Sequence, residues 1–198
     1  MSQMKTPVNT KKNQKSSVRK VLPIVPKHRR DASGQAQKMG YRAETHFKAS
    51  CESKNFKWEN ASKEENCKQH IDCHVTTPKG MKFTVDVKAA KKIARGDRKP
   101  QDKWTWIEWT ARDGRPGWAR SNVDFIAFGM LNGSFLLVKT KELKEYVEPM
   151  IEKYKRVLRL DSQRDAKNGL LWRRNGNKDA MTLIATDELA LLPNSFFL

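Results

Sequence analysis

The sequence predicts an α/β domain with a mixed central β-sheet flanked by helices, preceded by a basic disordered N-terminal arm. The first observation is that apolar and polar residues alternate over residues 70–77 and 81–88, the period of half-buried strands. The second is a four-residue apolar repeat over residues 36–53, the period of an amphipathic helix. The third is Asn132-Gly133 between two short apolar runs, which is a strong hairpin signal.

The chain has 198 residues, the length of about one domain, which we divide into an arm at residues 1–35 and a domain at residues 36–198. The arm is rich in Ser, Lys, Asn and Gln, a composition that predicts disorder. Neither an apolar run of about 18 residues nor an apolar signal region occurs. We therefore expect a cytoplasmic protein, or one inside the host cell if it is viral. Three cysteines are an odd number, which argues against a disulfide framework.

The net charge of +18 points to a polyanionic partner. Ten Lys or Arg residues lie in residues 1–38 against Asp31 alone, so half of the excess belongs to this region and half to the rest. Nucleic acid is the simplest such partner, because Lys and Arg bind phosphates and release counterions. A membrane surface is the weaker alternative, since no amphipathic basic helix accompanies the charge. A basic protein without a specific partner also stays open.

The first helix is predicted over residues 36–53, and Glu44 lies beside its apolar stripe. The stripe repeats at four-residue spacing through Met39, Ala43, Phe47 and Cys51. Residues 56–58 begin a first strand, and residues 59–66 read as a polar loop.

Two strands at residues 70–77 and 81–88 form a hairpin, because Pro78-Lys79-Gly80 between them is turn chemistry. Neighbouring strands of an antiparallel pair share their faces, so Asp72 and Asp86 belong to one polar face. The register that would bring the two side chains together does not follow from the sequence.

The later elements are shorter. Residues 104–110 are β-prone and carry aromatic side chains on both faces, so we expect them to be covered on both. A helix over residues 141–158 follows an N-cap at Thr140, and Pro149 is expected to break or kink it. The remaining predictions are strands at 123–128, 134–138, 170–172 and 181–185, a short helix at 161–168 and a last helical turn at 186–189.

The candidate functional residues lie on the polar face of this hairpin and, as Glu44, on the first helix. Carboxylate oxygens are the hard ligands that Mg²⁺ prefers, and Asp72 and Asp86 supply them. A nearby ammonium, from Lys88, can orient water and offset developing charge. A salt bridge between Asp86 and Lys88 at a strand end is the competing interpretation.

This order of residues resembles the PD-(D/E)xK nuclease superfamily, which includes restriction enzymes, phage exonucleases and archaeal Holliday-junction resolvases. The resemblance covers residues 39–138 and implies a restriction-endonuclease-like core. It implies that Asp72 and Asp86, helped by the Val87 carbonyl, hold Mg²⁺ or Mn²⁺, that Lys88 positions the attacking water, and that Glu44 assists. Ile71 departs from the Pro of the motif's name. A fuller pattern is similar to phage-type proteins of this superfamily: His70-Ile71-Asp72, Asp86-Val87-Lys88, Gln101, Gly117-Trp118 and residues 123–128.

The function expected from the resemblance is a metal-dependent endonuclease acting on DNA, with branched or replicating DNA as candidate substrates and RNA left open. Resolvases of this superfamily act as dimers, so a homodimer is a candidate arrangement. Residues that contact nucleic acid are expected after the second strand and around Gly117: Lys91, Lys92, Arg95, Arg98, Gln101, Trp118 and Arg120. Trp118 is expected in a loop, where an indole can stack on a base. Glu108 and Asp124 are further acids that could flank the site.

Two alternatives remain. One is a non-catalytic nucleic-acid-binding protein on a nuclease fold, with a packaging or replication role. The other is a zinc site, since four potential ligands lie within eight residues: Cys67, His70, Cys73 and His74. Zinc is the weaker of the two, because this cluster lacks a second pair of ligands and Cys73 points away from both histidines on a strand.

Overall fold

The computed structural model describes residues 34–154, 160–174 and 176–198. The helices are α1 (Gln35–Ser53), α2 (Lys63–Gln69), α3 (Thr140–Tyr154) and α4 (Thr186–Ala190). The strands are β1 (Lys57–Asn60), β2 (Cys73–Thr76), β3 (Lys82–Lys88), β4 (Trp104–Thr110), β5 (Phe125–Gly129), β6 (Phe135–Lys139), β7 (Ala180–Ala185) and β8 (Phe196–Phe197). Two 3₁₀ turns lie at Trp118–Arg120 and Gln163–Asp165.

Six strands form one sheet in the order β1-β2-β3-β5-β6-β8. The β3–β5 pair is parallel and the other pairs are antiparallel, so the sheet is mixed. The predicted α/β class with a mixed central sheet is therefore confirmed. β4 and β7 lie outside this sheet and pair with each other as a separate antiparallel ribbon.

The two faces of the central sheet are buried by different elements. Alternate residues of β3 point to opposite faces. Val85 and Val87 pack with Phe47 and Cys51 of α1. On the other face, Ile126 and Phe128 of β5 pack into a second cluster with these residues of α3, β4 and β7: Leu143, Val147, Ile151, Ile107 and Ile184. The even-numbered residues of β3 face this second cluster.

The parallel register explains why a charged residue of β3 is buried. Asp86 lies beside Ile126, and Lys88 lies beside Phe128. Since neighbours in a sheet share a face, Asp86 stands at the margin of the second core cluster rather than on a solvated surface. Its exposure is only 1%.

Several local predictions were wrong. Residues 59–66 are not one polar loop, because β1 extends to Asn60 and α2 begins at Lys63. α2 has a capping box in which the Ser62 side chain accepts from the Glu65 amide and the Glu65 carboxylate accepts from the Ser62 amide. The Ser-x-x-Glu spacing is present in the sequence and is the signal that would have found this helix.

The alternation of residues 70–77 also fails at its start. Ile71 packs in the second cluster, whereas Cys73 and Val75 pack against α1, so these three side chains do not share a face. The cause is His70, which ends α2 in the left-handed conformation at φ 61°, so the strand begins only at Cys73.

Pro149 does not break α3, which runs from Thr140 to Tyr154. Burial of Leu143, Val147 and Ile151 on one face holds the helix on both sides of the proline. The predicted end at residue 158 lies outside the described residues. Residues 161–168 contain a 3₁₀ turn and an isolated bridge from Lys167 to Leu183 instead of a helix, and residues 170–172 contain a single bridge from Trp172 to Met181.

The predicted arm also lies almost wholly outside the described residues, which begin at Gly34. Among the described helices, none is long and apolar enough to cross a membrane.

Candidate active site

The register between β2 and β3 brings the two predicted aspartates together. The paired register of the two strands ends where Cys73 lies opposite Val85. Asp72 precedes β2, yet its amide donates to the Val85 carbonyl at 2.9 Å, which holds Asp72 against β3 beside Asp86. The two side chains therefore lie on one face at the same end of the hairpin.

Both oxygens of the Asp72 carboxylate accept hydrogen bonds. The Val87 amide donates to Oδ2 at 2.7 Å, and the Asn66 side-chain amide donates to Oδ1 at 2.6 Å. One bond ties the carboxylate to β3 and the other ties it to α2. Asn66 is thus a positioning residue that lay in the predicted loop and was missed.

Asp86 is the most deeply buried member of the site. Oδ1 accepts from the Lys88 ammonium at 2.5 Å, while Oδ2 is buried and has no hydrogen-bond partner among the described residues. Burial raises the pKa of Asp86 to about 7; the Lys88 charge opposes the rise, and the Asp72 carboxylate adds to it. Asp72 therefore lies close enough to Asp86 for its negative charge to favour the protonated form of Asp86.

The competing interpretation predicted a salt bridge between Asp86 and Lys88 on the surface. The salt bridge is present, but it is largely buried. The Lys88 and Asp86 side chains are 20% and 1% exposed. The Lys88 ammonium also lies 5.2 Å from the centre of the Trp118 ring, whose edge packs on Phe128. Lys88 is thereby fixed between a carboxylate and an indole at the mouth of the site.

Glu44 approaches from α1. It is half-buried, and desolvation raises its pKa, with a further upward effect from Asp72 and a downward effect from Lys88. These influences place its carboxyl near both groups. The structure therefore brings together all four residues predicted as catalytic: Glu44, Asp72, Asp86 and Lys88.

A second group of charges extends the site toward β4 and β7. The Lys91 ammonium lies among Lys88, Glu108 and Asp86, and desolvation followed by the Lys88 charge lowers its pKa, although the residue as a whole is exposed. Glu108 is half-buried, and desolvation raises its pKa while Lys91, Lys88 and Arg174 lower it.

Arg174 in turn donates to the fully buried Asp179 at 2.5 Å. Arg174 and Asp179 were missed, because they lie about ninety residues further along the chain and no local pattern joins them to Lys88.

Asp124 does not join the site. Its Oδ2 accepts from the amide and hydroxyl of Thr84, at 2.8 and 2.9 Å, and so fastens the start of β5 to β3. The two histidines also separate. His70 lies close enough to Lys88 and Asp72 for both charges to act on its pKa, which desolvation lowers, whereas His74 bonds Glu65 of the α2 capping box at 3.0 Å.

The residues predicted to bind nucleic acid fall into three groups. Lys91, Lys92, Arg95, Arg98 and Arg120 are exposed. The Gln101 side chain donates to the carbonyls of Lys91 and Trp104 and accepts from the Trp104 amide, so it organises the loop. Trp118 is 5% exposed and lies in a 3₁₀ turn, so the expectation that it stacks on a base is wrong.

The residues present fit a magnesium ion with two protein ligands. Mg²⁺ is usually held by one or two carboxylates and keeps several waters. Asp72 and Asp86 supply that number, and the unpartnered Asp86 Oδ2 is a free oxygen donor. Val87 contacts Asp72 through its amide, and the ligand role of its carbonyl stays a prediction.

In the part of the chain that the structure describes, no group of three or more His, Cys, Asp or Glu side chains is placed to hold a metal ion. The potential zinc ligands are dispersed accordingly. Cys73 is buried against α1, Cys67 is exposed, and His74 faces Glu65.

No family model matches this chain, and no curated protein or solved structure matches it either.

Proposed function

We propose that this protein is a divalent-metal-dependent nuclease that hydrolyses DNA phosphodiester bonds, with Asp72, Asp86, Lys88 and Glu44 as its catalytic residues. The observation that carries the proposal is that the Asp72 and Asp86 carboxyls lie near each other beside the Lys88 ammonium. Two neighbouring carboxylates repel each other when both are ionised, and a cation bound between them relieves that repulsion. The net charge of +18 provides the attraction for a polyanionic substrate.

The positions of the four residues support a separate role for each in the proposed reaction. Asp72 and Asp86 would hold Mg²⁺ or Mn²⁺, which when bound polarises the phosphate and lowers the pKa of water. Lys88 is held at the site mouth by Asp86 and Trp118, where its charge can stabilise the negative charge that develops on the phosphate. Glu44, whose pKa is raised, is suited to accept a proton from water.

A non-catalytic nucleic-acid-binding protein is the second candidate. The observation in its favour is the closed ion pair between Lys88 and Asp86, since a charge satisfied by its neighbour needs no metal. On this alternative the positive surface binds DNA and the carboxylates serve only the fold.

The test is incubation with linear, single-stranded and branched DNA, with and without Mg²⁺ or Mn²⁺. We expect metal-dependent cleavage of at least one substrate, abolished by Asp86→Asn and by Lys88→Met while DNA binding persists. Lys68→Met is the matched control, because Lys68 pairs with Glu64 on the exposed surface of α2. DNA left intact under both metals would favour the second candidate, and full activity of both site variants would refute the site assignment.

A further inference from the structure

An open groove of about 170 Å³ is lined by residues that adjoin the candidate active site in the chain. Met39, Arg42 and His46 of α1 form one wall. Ala89, Ala90 and Met130 form part of the other. Since Ala89 follows Lys88 in the chain, and Ala43 of the same groove precedes Glu44, the groove begins where the catalytic cluster ends.

The groove has cationic and apolar sides but no acidic lining residue in the described part of the chain. Arg42 and His46 are exposed, and within the described residues no hydrogen bond or ion pair engages either side chain. Met39 is 37% exposed, which leaves an apolar contact surface beside the two polar ends. Such a lining suits a group with an anionic part and a flat apolar part.

The size of the groove restricts the occupant. Pockets that enclose small molecules have volumes of about 300–1,000 Å³. This open groove is smaller, at about 170 Å³, so it has room for one base and not for a base pair. Ala89 joins the two sites, since it follows Lys88 in the chain and lines the groove. A strand whose phosphate lies at Asp86 and Lys88 and that runs on past Ala89 would bring its next nucleotide to the groove.

Resting on the proposed function, we infer that this groove binds one unpaired nucleotide next to the bond that is cut. The Arg42 side chain contacts the phosphate of this nucleotide. Its base stacks on the His46 imidazole and packs against Met39, since imidazole rings serve as stacking surfaces for unstacked bases. The substrate class is therefore DNA with a single-stranded nucleotide at the cleavage position, such as a single strand, a flap or a branch point.

The experiment is a salt titration of binding, with Ca²⁺ replacing Mg²⁺ to prevent cleavage. A fluorescein-labelled single strand of about 12 nucleotides, within the span that single-strand-binding folds cover, is compared with a blunt duplex of equal length. The variants are Arg42→Gln and His46→Ala. Lys48→Gln is the matched control, because Lys48 lies on the same helix, outside the groove, and pairs with Glu52.

Affinity falls as salt rises, and we expect Arg42→Gln to make the slope of log affinity against log salt shallower by about 0.7. That is the contribution of one phosphate contact on a single strand. His46→Ala should weaken single-strand binding about five-fold or more, as losing a stacked base does, and leave duplex binding unchanged. Lys48→Gln should change neither. Both groove side chains are exposed, so the variants should melt at the wild-type temperature.

Three results overturn the inference: an Arg42→Gln slope equal to that of Lys48→Gln, equal losses on the single strand and the duplex, or wild-type cleavage confined to fully paired DNA. A wild-type protein that cuts no DNA but shows the Arg42 and His46 effects would instead overturn the proposed catalysis and leave the groove as a nucleotide site.

Discussion

Asp86 and Asp179 are two buried carboxylates of the same domain, 1% and 0% exposed. Each accepts from one cationic side chain at 2.5 Å, Asp86 from Lys88 and Asp179 from Arg174. Each has one buried oxygen without a hydrogen-bond partner among the described residues. By burial and pairing alone the two look alike.

They differ in the charge of their other neighbours. Asp86 lies near a second carboxyl, Asp72, which in turn lies near Glu44, so three acids are grouped beside Lys88. Asp179 lies near a single further acid, Glu108, whose other neighbours are the cations Lys91, Lys88 and Arg174. A buried ion pair is therefore compatible with a purely structural role, and what distinguishes Asp86 is the group of acids around it.

The largest expected difference is in activity. On the proposed function Asp86→Asn removes a metal ligand and should reduce cleavage at least about a thousand-fold, whereas residues that only support ligands typically contribute 10–100-fold. Asp179→Asn should keep activity within a few-fold in the folded protein. Single-turnover cleavage under saturating Mg²⁺ measures both. Equal losses in the two variants would contradict the contrast.

The pH dependence of stability should also separate them. The native pKa of Asp86, about 7, exceeds the ordinary unfolded value, so the native state binds the proton more tightly. The proton bound by Asp86 therefore stabilises the native state below pH 4, and this stabilisation is lost as the pH rises toward 7. At roughly 1.36 kcal/mol per pKa unit, the free energy of unfolding of the metal-free protein should fall by about 3 kcal/mol over this range. Urea unfolding at a series of pH values should show this fall in wild type and Asp179→Asn, and not in Asp86→Asn.

Breaking the Asp179 pair should affect stability rather than catalysis. Arg174→Met leaves the buried Asp179 carboxylate without its partner, which we expect to lower the free energy of unfolding by about 2 kcal/mol. Breaking a fully buried pair costs about 3–5 kcal/mol, and the cost is smaller here because the Arg174 side chain is 37% exposed. The free energy of unfolding at pH 7 measures it, with the exposed pair variant Lys68→Met expected to lose less than about 0.5 kcal/mol. An unchanged value for Arg174→Met would show that Asp179 is not held as a charge.

The smallest expected effect concerns Glu108. Glu108→Gln removes the negative charge that lies among Lys91, Lys88 and Arg174, and so should tighten DNA binding about three-fold at low salt. Glu64→Gln on α2 changes the net charge equally at a distance and serves as the control. The same gain in both variants would mean that Glu108 has no local influence on the substrate.

The sequence predicted the two strands and the acids on them, because period-two alternation and turn chemistry are local signals. It could not predict the burial of Asp86, which depends on β5 forty residues later packing in parallel beside β3. The same limit applies to Arg174 and Asp179, which reach the site through β7. Trp118 was misplaced for a related reason: its loop-like sequence gives no sign that Lys88 and Phe128 enclose the ring.

The most direct test of the central claim is metal binding itself. Titration of the metal-free protein with Mn²⁺ at pH 8, followed by isothermal calorimetry and by the electron paramagnetic resonance of free Mn²⁺, measures it without any nucleic acid. We predict binding by wild type and Asp179→Asn, and its loss in Asp72→Asn and Asp86→Asn. Equal binding by all four proteins, or binding by none, would contradict the assignment of Asp72 and Asp86 as metal ligands.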